Sequence, residues 1–115
     1  MIYGPYRARC VEIHDGDTIY FDLDLGFGFQ LASHNIDGRL MIACRVWGIN
    51  APELSTQPGK DALAYAQSIL HPGDICSVVS HGWDKYGGRF DGSVTLPDGT
   101  DFAGWMVNSG HAVAA

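Results

Sequence analysis

Two carboxylates flank a glycine near the start of the chain, and this arrangement could bind a metal ion. Asp15-Gly16-Asp17-Thr18 places Asp15 and Asp17 two positions apart, at the entry to a predicted β-strand. Hard cations such as calcium bind carboxylate oxygens on tight loops. The same four residues are also typical of an ordinary hairpin turn, so this segment alone leaves both interpretations open.

A second group of oxygen donors follows an apolar strand. Asn50-Ala51-Pro52-Glu53 offers an amide oxygen, a backbone carbonyl and a carboxylate within four residues. These are ligand types for a hard cation, and a carboxylate can also take a proton from water. A capped loop is the alternative interpretation of this segment taken by itself.

Two arginines are placed where they could bind a phosphate. Arg45 lies within an apolar run, so it must face solvent, pair with a carboxylate or line a cleft, because burying an unpaired cation is costly. Arg89 follows two glycines, which allow the backbone to approach a ligand closely. Lys85 and Tyr86 precede these glycines and provide a cation and a flat ring, suited to a phosphate and a base, although a solvated loop tip is the alternative.

Together these groups are what metal-assisted hydrolysis of a phosphodiester requires. A cation near Asp17 would polarise the phosphate and position water, and Glu53 could accept the proton. Arg45 and Arg89 would stabilise the charge that develops on the phosphate oxygens. His14, beside the first turn, is interpreted as a solvated histidine at a strand end, with substrate contact as the alternative.

The three motifs resemble those of the staphylococcal (micrococcal) nuclease-like family. Segments 15–18, 44–53 and 84–89 occur in the family's order and at similar spacing, and residues 107–112 resemble its following helix. The resemblance covers about residues 9–112. It implies an OB-fold barrel that hydrolyses DNA and RNA with calcium and with low sequence specificity.

The resemblance also implies a metal site. Asp17 matches the family's metal-binding aspartate, and Ala51 matches the residue that contributes its backbone carbonyl. Asn50 stands where the family usually has a second aspartate ligand. Asp15 matches a carboxylate that supports the ligands without contacting the metal itself. Because Asn50 removes one negative charge, we expect calcium to bind weakly.

The same resemblance assigns the reacting residues. Arg45 matches the first phosphate arginine, and Glu53 matches the glutamate assigned as general base. Gly88 stands where the shorter family pattern has its second arginine, so we assign that role to Arg89, one residue later, with a glycine bulge absorbing the extra residue. The segment Lys85-Tyr86 matches residues near the terminal phosphate of a bound nucleotide.

The elements that position these residues are predicted from hydropathy periodicity. Every odd position from Ile19 to Leu31 is apolar, which predicts one long strand with a buried face and a bend at Gly26 and Gly28. Further predicted elements are strands at Arg7 to His14, Leu40 to Ile49, Ile75 to His81 and Phe90 to Leu96, and helices at Lys60 to Leu70 and Phe102 to Ser109, the latter between the caps Asp101 and Gly110. This order predicts a mainly β (α+β) fold: a five-stranded OB-fold Greek-key barrel with two short helices.

Composition sets the remaining expectations. With 115 residues we expect one domain over residues 1–115, without the C-terminal helix of longer relatives. Three cysteines, an odd number, favour reduced buried thiols and an intracellular setting, cytoplasmic or phage- or plasmid-encoded, and no signal peptide or membrane segment is visible. We expect a monomer whose partner is DNA or RNA.

The net charge of −6 argues against a broad basic surface for nucleic acid. Some of the excess acidic residues belong to the expected calcium site. Binding of nucleic acid would therefore depend on a few cations at specific positions. Two other interpretations stay open: a catalytically inactive nuclease-like module that binds nucleic acid or protein, and a structural calcium-binding barrel. The nuclease predicts calcium-dependent cleavage, and the inactive module predicts binding without cleavage. The structural barrel predicts a melting temperature that depends on calcium but not on nucleotides.

Overall fold

The computed structural model describes residues 2–29 and 31–115. In chain order the elements are β1 (Tyr3–Asp15), β2 (Thr18–Asp24), β3 (His34–Ile36), β4 (Arg39–Val46), β5 (Ile49–Asn50), α1 (Gln57–Ile69), β6 (Ile75–Trp83), β7 (Arg89–Thr95), α2 (Phe102–Asn108) and β8 (Val113–Ala114). None of the helices in these ranges is long and apolar enough to cross a membrane.

Five of the strands form a closed barrel. They are ordered β2-β1-β6-β7-β4, and an additional pairing of β2 with β4 closes the cylinder. The pairs are antiparallel except for β4 with β7, which run parallel and are joined by a crossover that contains β5, α1 and β6. This is the connectivity of a five-stranded OB-fold Greek-key barrel, and with its two short helices it confirms the predicted mainly β fold.

The barrel is filled by the inward-facing side chains of its strands and is covered by α1. Ile19, Phe21 and Leu23 of β2 are all buried, as the alternation predicts. Ala62 and Ala66 of α1 are fully buried in the same core, where their small side chains let the helix lie close to the barrel. All three cysteines are free and buried.

The long second strand predicted from Ile19 to Leu31 is wrong beyond Asp24. Residues 26, 27 and 28 have φ angles of 81°, 54° and 76°, a left-handed conformation that no strand can continue through. Asp24 stabilises this turn, because its Oδ1 accepts a hydrogen bond of 2.8 Å from the N–H of Gly26. Phe27 and Phe29 are exposed rather than buried. Gln30, also placed in the predicted strand, lies outside the described residues.

The predicted third strand, Leu40 to Ile49, is two strands in the structure. β4 ends at Val46, and Gly48, with φ 84°, turns the chain before β5 begins. β3, which was not predicted, pairs with the start of β4 through a turn at Asp37 and Gly38 whose φ angles are 51° and 79°. Two consecutive positive φ angles are typical of the hairpin turn that matches strand twist.

Both helices are present, with adjusted ends. α1 begins three residues before the predicted Lys60, because Thr56 is its N-cap and accepts a hydrogen bond from the N–H of Gly59. α2 begins after the predicted cap Asp101, whose Oδ2 accepts a 3.1 Å hydrogen bond from the N–H of Gly104. Gly110 follows the helix with φ 82°, as predicted for its C-terminal end.

Candidate functional site

Four separate segments of the chain meet around one cleft of about 490 Å³. They are the β1–β2 turn, the second half of β4, the segment from β5 to α1, and the start of β7. The cleft is lined by all seven residues assigned to the metal site and to catalysis: Asp15, Asp17, Arg45, Asn50, Ala51, Glu53 and Arg89. The structure therefore brings together three motifs that are far apart in the sequence.

The β1–β2 turn is fixed against the segment that follows β5. The backbone N–H of Asp17 donates a 3.0 Å hydrogen bond to Oδ1 of Asp15, which closes the turn. Gly16 is buried, and a Cβ added to it would lie 2.8 Å from the Cβ of Ala51 and 3.1 Å from that of Ala62. The glycine of this motif is thus required for close packing, which places both carboxylates beside the second motif.

Asp17 connects the two motifs. Its Oδ2 accepts a 2.8 Å hydrogen bond from the N–H of Ala51 and lies 3.4 Å from Nη2 of Arg45. Burial raises the pKa of Asp17 above its ordinary value, and the hydrogen bond with Asp15 raises it further, while the N–H of Ala51 and the charge of Arg45 lower it. The net increase means that burial and the neighbouring carboxylate penalise the charged form of Asp17 more than Ala51 and Arg45 stabilise it.

Arg45 is held at the wall of the cleft by oxygen acceptors. Its Nη1 donates to the carbonyl oxygens of Val46 at 3.0 Å and Ile49 at 2.8 Å, and its Nη2 donates to Oδ1 of Asn50. Of the three environments considered for this arginine, it therefore has two: it pairs with a carboxylate, Asp17, and it lines a cleft. Its guanidinium is fixed before any ligand arrives.

Glu53 is positioned through its backbone. Its carbonyl oxygen accepts hydrogen bonds from the N–H of Thr56 at 3.0 Å and from the hydroxyl of Thr56 at 2.6 Å. Gly59, in the first turn of α1, packs directly on this carbonyl, and an added Cβ would collide with it. The helix start therefore fixes the backbone at Glu53, while the exposed side chain lines the cleft.

Arg89 reaches the cleft from the first position of β7. The two preceding glycines, Gly87 and Gly88, have φ angles of 75° and 72°, so the extra residue is accommodated by a left-handed loop. Nε of Arg89 lies 3.5 Å from Oδ2 of Asp84. The N–H of Tyr86, then a hydrogen bond with Asp91, and then the charge of Arg89 lower the pKa of Asp84. Arg89 thus lines the same cleft as Arg45.

A second cleft of about 450 Å³ lies on the other side of the two arginines. It shares Arg45, Asn50 and Arg89 with the first cleft and is also lined by Lys85 and Tyr86. Nζ of Lys85 lies 5.1 Å from the centre of the Tyr86 ring. The predicted substrate-binding residues therefore share the second cleft with Arg45 and Arg89, but they do not line the first cleft, where Glu53 lies.

The residues assigned to the metal site contribute only oxygen donors. Asp15 and Asp17 contribute carboxylates, Asn50 an amide oxygen and Ala51 a carbonyl, which are the donors that calcium accepts. Among residues 2–29 and 31–115, no three His, Cys, Asp or Glu side chains converge as a metal-binding group. The donor set therefore fits a hard cation, with neutral oxygens where a stronger site would have a further carboxylate.

The motifs did not predict a row of three rings beside the cleft. His14, Tyr20 and His34 lie side by side on β1, β2 and β3, and they line a third cleft of about 310 Å³ that also includes Arg89. The available signal was Tyr20, an aromatic residue at an even, outward-facing position of an alternating strand. His34 gave no signal, because its contact with Tyr20 depends on the β3 hairpin.

No protein-family model and no curated protein matches the chain.

Proposed function

We propose that this protein is a calcium-dependent nuclease of the staphylococcal nuclease-like type, which hydrolyses phosphodiester bonds of DNA, RNA or both with low sequence specificity. One observation carries the proposal: Arg45 and Arg89, on different strands, line the same cleft as Asp17 and Glu53. Two cations, a carboxylate pair and an exposed carboxylate around one opening are the groups that phosphodiester hydrolysis uses.

The arginines bind and stabilise the phosphate. Guanidinium groups form paired hydrogen bonds with phosphate oxygens, and the charge they stabilise grows as the phosphorus accepts a fifth oxygen. The backbone carbonyls of Val46 and Ile49 orient Arg45, and Asp84 orients Arg89. Groups that are already oriented stabilise a transition state without reorganising, which supports this role.

Glu53 acts as general base. Its side chain is exposed at the cleft, so it can accept a proton from a water molecule that approaches the phosphate. The hydrogen bonds from Thr56 to its backbone limit where the carboxylate can reach. A base just before the capped start of α1 thus lines the same opening as the two arginines.

Asp17, the carbonyl of Ala51 and Asn50 would hold the calcium ion, and Oδ1 of Asp15 accepts a hydrogen bond from the backbone N–H of Asp17. A calcium ion held there would supply positive charge that polarises the phosphate and favours a nucleophilic water. The raised pKa of Asp17, caused first by burial and then by Asp15, is consistent with a carboxylate that gains from a nearby cation. Lys85 and Tyr86 bind the adjoining nucleotide in the second cleft.

The proposal is tested by incubating plasmid DNA and single-stranded RNA with the wild-type protein and with Glu53→Gln, Arg45→Ala and Asp17→Asn. We expect calcium-dependent degradation by the wild type, its loss on adding a chelator, and strongly reduced cleavage by all three variants. Asp61→Asn, at an exposed carboxylate on α1 that lines none of these clefts, is the matched control and should cleave as the wild type does. Wild-type activity in all three variants would refute the assignment.

A catalytically inactive module that binds nucleic acid is the second candidate. The observation that favours it is Asn50, which lacks the charge of an aspartate and whose amide oxygen already accepts a hydrogen bond from Arg45. This candidate predicts binding of oligonucleotides with no chelator-sensitive cleavage. The plasmid and RNA assay therefore separates the two.

A further inference from the structure

Three rings from three neighbouring strands form a row on the outside of the barrel. The ring centres of His14 and Tyr20 are 5.7 Å apart, and those of Tyr20 and His34 are 5.0 Å apart. The interplanar angles of these two pairs are 52° and 48°, so the rings do not stack flat on one another. Their faces are therefore not covered by mutual contact. His14 is about half exposed, and none of the three rings belongs to the barrel core.

The row is continuous with the candidate active site. The third cleft, of about 310 Å³, has His14, Tyr20 and His34 on one side and the loop with Tyr86 on the other. It shares His14, Asp15, Thr18 and Arg89 with the cleft that holds the assigned catalytic residues. A chain that passes the two arginines can therefore continue along the rings.

The charges near the arginines and near the rings differ, so different parts of a nucleotide can bind at the two places. Glu12 and Asp15 lie near Tyr20 and, after burial, raise its pKa, so two carboxylates flank the central ring of the row. A phosphate is disfavoured there and favoured at Arg45 and Arg89. A nucleobase has no such charge, and aromatic faces bind bases by stacking, worth about 1–3 kcal/mol for each base.

We propose that His14, Tyr20 and His34 form a base-stacking subsite for the nucleotide next to the phosphodiester held by Arg45 and Arg89. This inference rests on the proposed function for the position of the phosphate. Tyr20 is the central ring, because it contacts both histidines. The hydroxyl of Ser33 is 2.8 Å from Nδ1 of His34 and so orients the last ring of the row. The ligand is a polynucleotide with an unpaired base, since the face of a base inside a duplex is already covered.

Binding of a fluorescent single-stranded hexathymidylate, with calcium and in a Glu53→Gln background that does not consume it, tests this subsite. We expect Tyr20→Leu, which keeps an apolar side chain but removes the ring, to weaken binding roughly 5- to 150-fold, while Tyr20→Phe keeps the affinity. Tyr65→Leu is the matched control, because Tyr65 stacks on His111 away from these clefts and should leave the affinity unchanged. Should Tyr20→Leu fail to fold, His14→Ala, at an exposed position, should weaken binding in the same direction.

A second ligand separates bases from phosphates. In the same Glu53→Gln background, a hexamer of abasic nucleotides should bind more weakly than hexathymidylate when Tyr20 is present, and its affinity should change little in Tyr20→Leu. Three results would overturn the subsite: equal affinities of Tyr20→Leu and Tyr20→Phe, equal affinities of the two hexamers when Tyr20 is present, or no binding at all. Tyr20-dependent binding without any nuclease activity would refute the proposed function and leave the subsite standing, whereas cleavage with Tyr20-independent binding would overturn the subsite alone.

Discussion

Arg45 donates a hydrogen bond from Nη2 to the side-chain oxygen of Asn50, so a phosphate-binding candidate and a metal-binding candidate contact each other directly. The same guanidinium nitrogen lies 3.4 Å from Oδ2 of Asp17. Arg45 thus lies between two of the residues assigned to calcium. Any change of charge at position 50 acts both on the metal and on the arginine.

Replacing Asn50 with aspartate should tighten calcium binding. One added negative charge next to a divalent ion at an exposed site is worth on the order of 1–2 kcal/mol, which corresponds to about tenfold in affinity. Titration calorimetry measures this change. Asn35→Asp, at an exposed position of β3 outside the clefts, is the matched control and should leave the affinity unchanged. Equal affinities of Asn50→Asp and the wild type would show that residue 50 is not a ligand.

Replacing Arg89 with alanine should reduce the rate of cleavage by roughly a thousandfold, because an arginine that stabilises charge on a reacting phosphate contributes that order of rate. The effect should appear in kcat measured on a labelled oligonucleotide. Arg7→Ala removes an exposed arginine of β1 that does not line these clefts and should cleave normally. An Arg89→Ala variant with nearly full activity would remove Arg89 from the mechanism.

Replacing Gly16 with alanine should lower both stability and cleavage. The new Cβ would lie 2.8 Å from the Cβ of Ala51, so the turn with Asp15 and Asp17 must move away from the segment that it contacts. Overpacking of this kind costs about 1–3 kcal/mol, which a urea-unfolding curve measures. Gly104→Ala is the control, because its Cβ would meet no atom closer than 3.5 Å and alanine favours a helix. Unchanged stability in Gly16→Ala would contradict the packing.

The affinity for single-stranded nucleic acid should depend only weakly on salt. The chain has a net charge of −6, and the phosphate contacts depend on Arg45, Arg89 and Lys85. Two or three contacts give a slope of about −2 in a plot of log affinity against log salt concentration. Fluorescence anisotropy between low and physiological salt measures the slope. A slope of about −5 or steeper would indicate a broad basic surface instead.

The sequence predicted correctly the features that depend on the type and the hydropathy periodicity of neighbouring side chains. The burial of Ile19, Phe21 and Leu23 follows from alternation, and the cap at Asp101 follows from one residue type before a helix. The end of β2 was missed because apolar residues continue the alternation after Asp24, while the backbone turns through positive φ angles. Hydropathy does not register a left-handed conformation, so Phe27 was wrongly expected in the core.

The candidate site was predictable as a set of residues but not as a geometry. Motifs marked Asp17, Arg45 and Glu53 individually, and only barrel closure through β2 and β4 brings the first two within 3.4 Å. The contact between Tyr20 and His34 depends on the β3–β4 hairpin, and of this hairpin the sequence indicated only the turn at Asp37-Gly38. Contacts of this kind depend on which strands pair with one another. A single sequence predicts them only after the order of the strands in the sheet is known.

The most direct test of the account is the rate of phosphodiester cleavage as a function of free calcium. With an end-labelled single-stranded oligonucleotide, we predict no cleavage in chelator, a rate that rises and saturates as calcium is added, and loss of that rate when chelator is restored. The same rate with and without calcium, or no cleavage at any calcium concentration, would contradict the proposal that this barrel is a calcium-dependent nuclease.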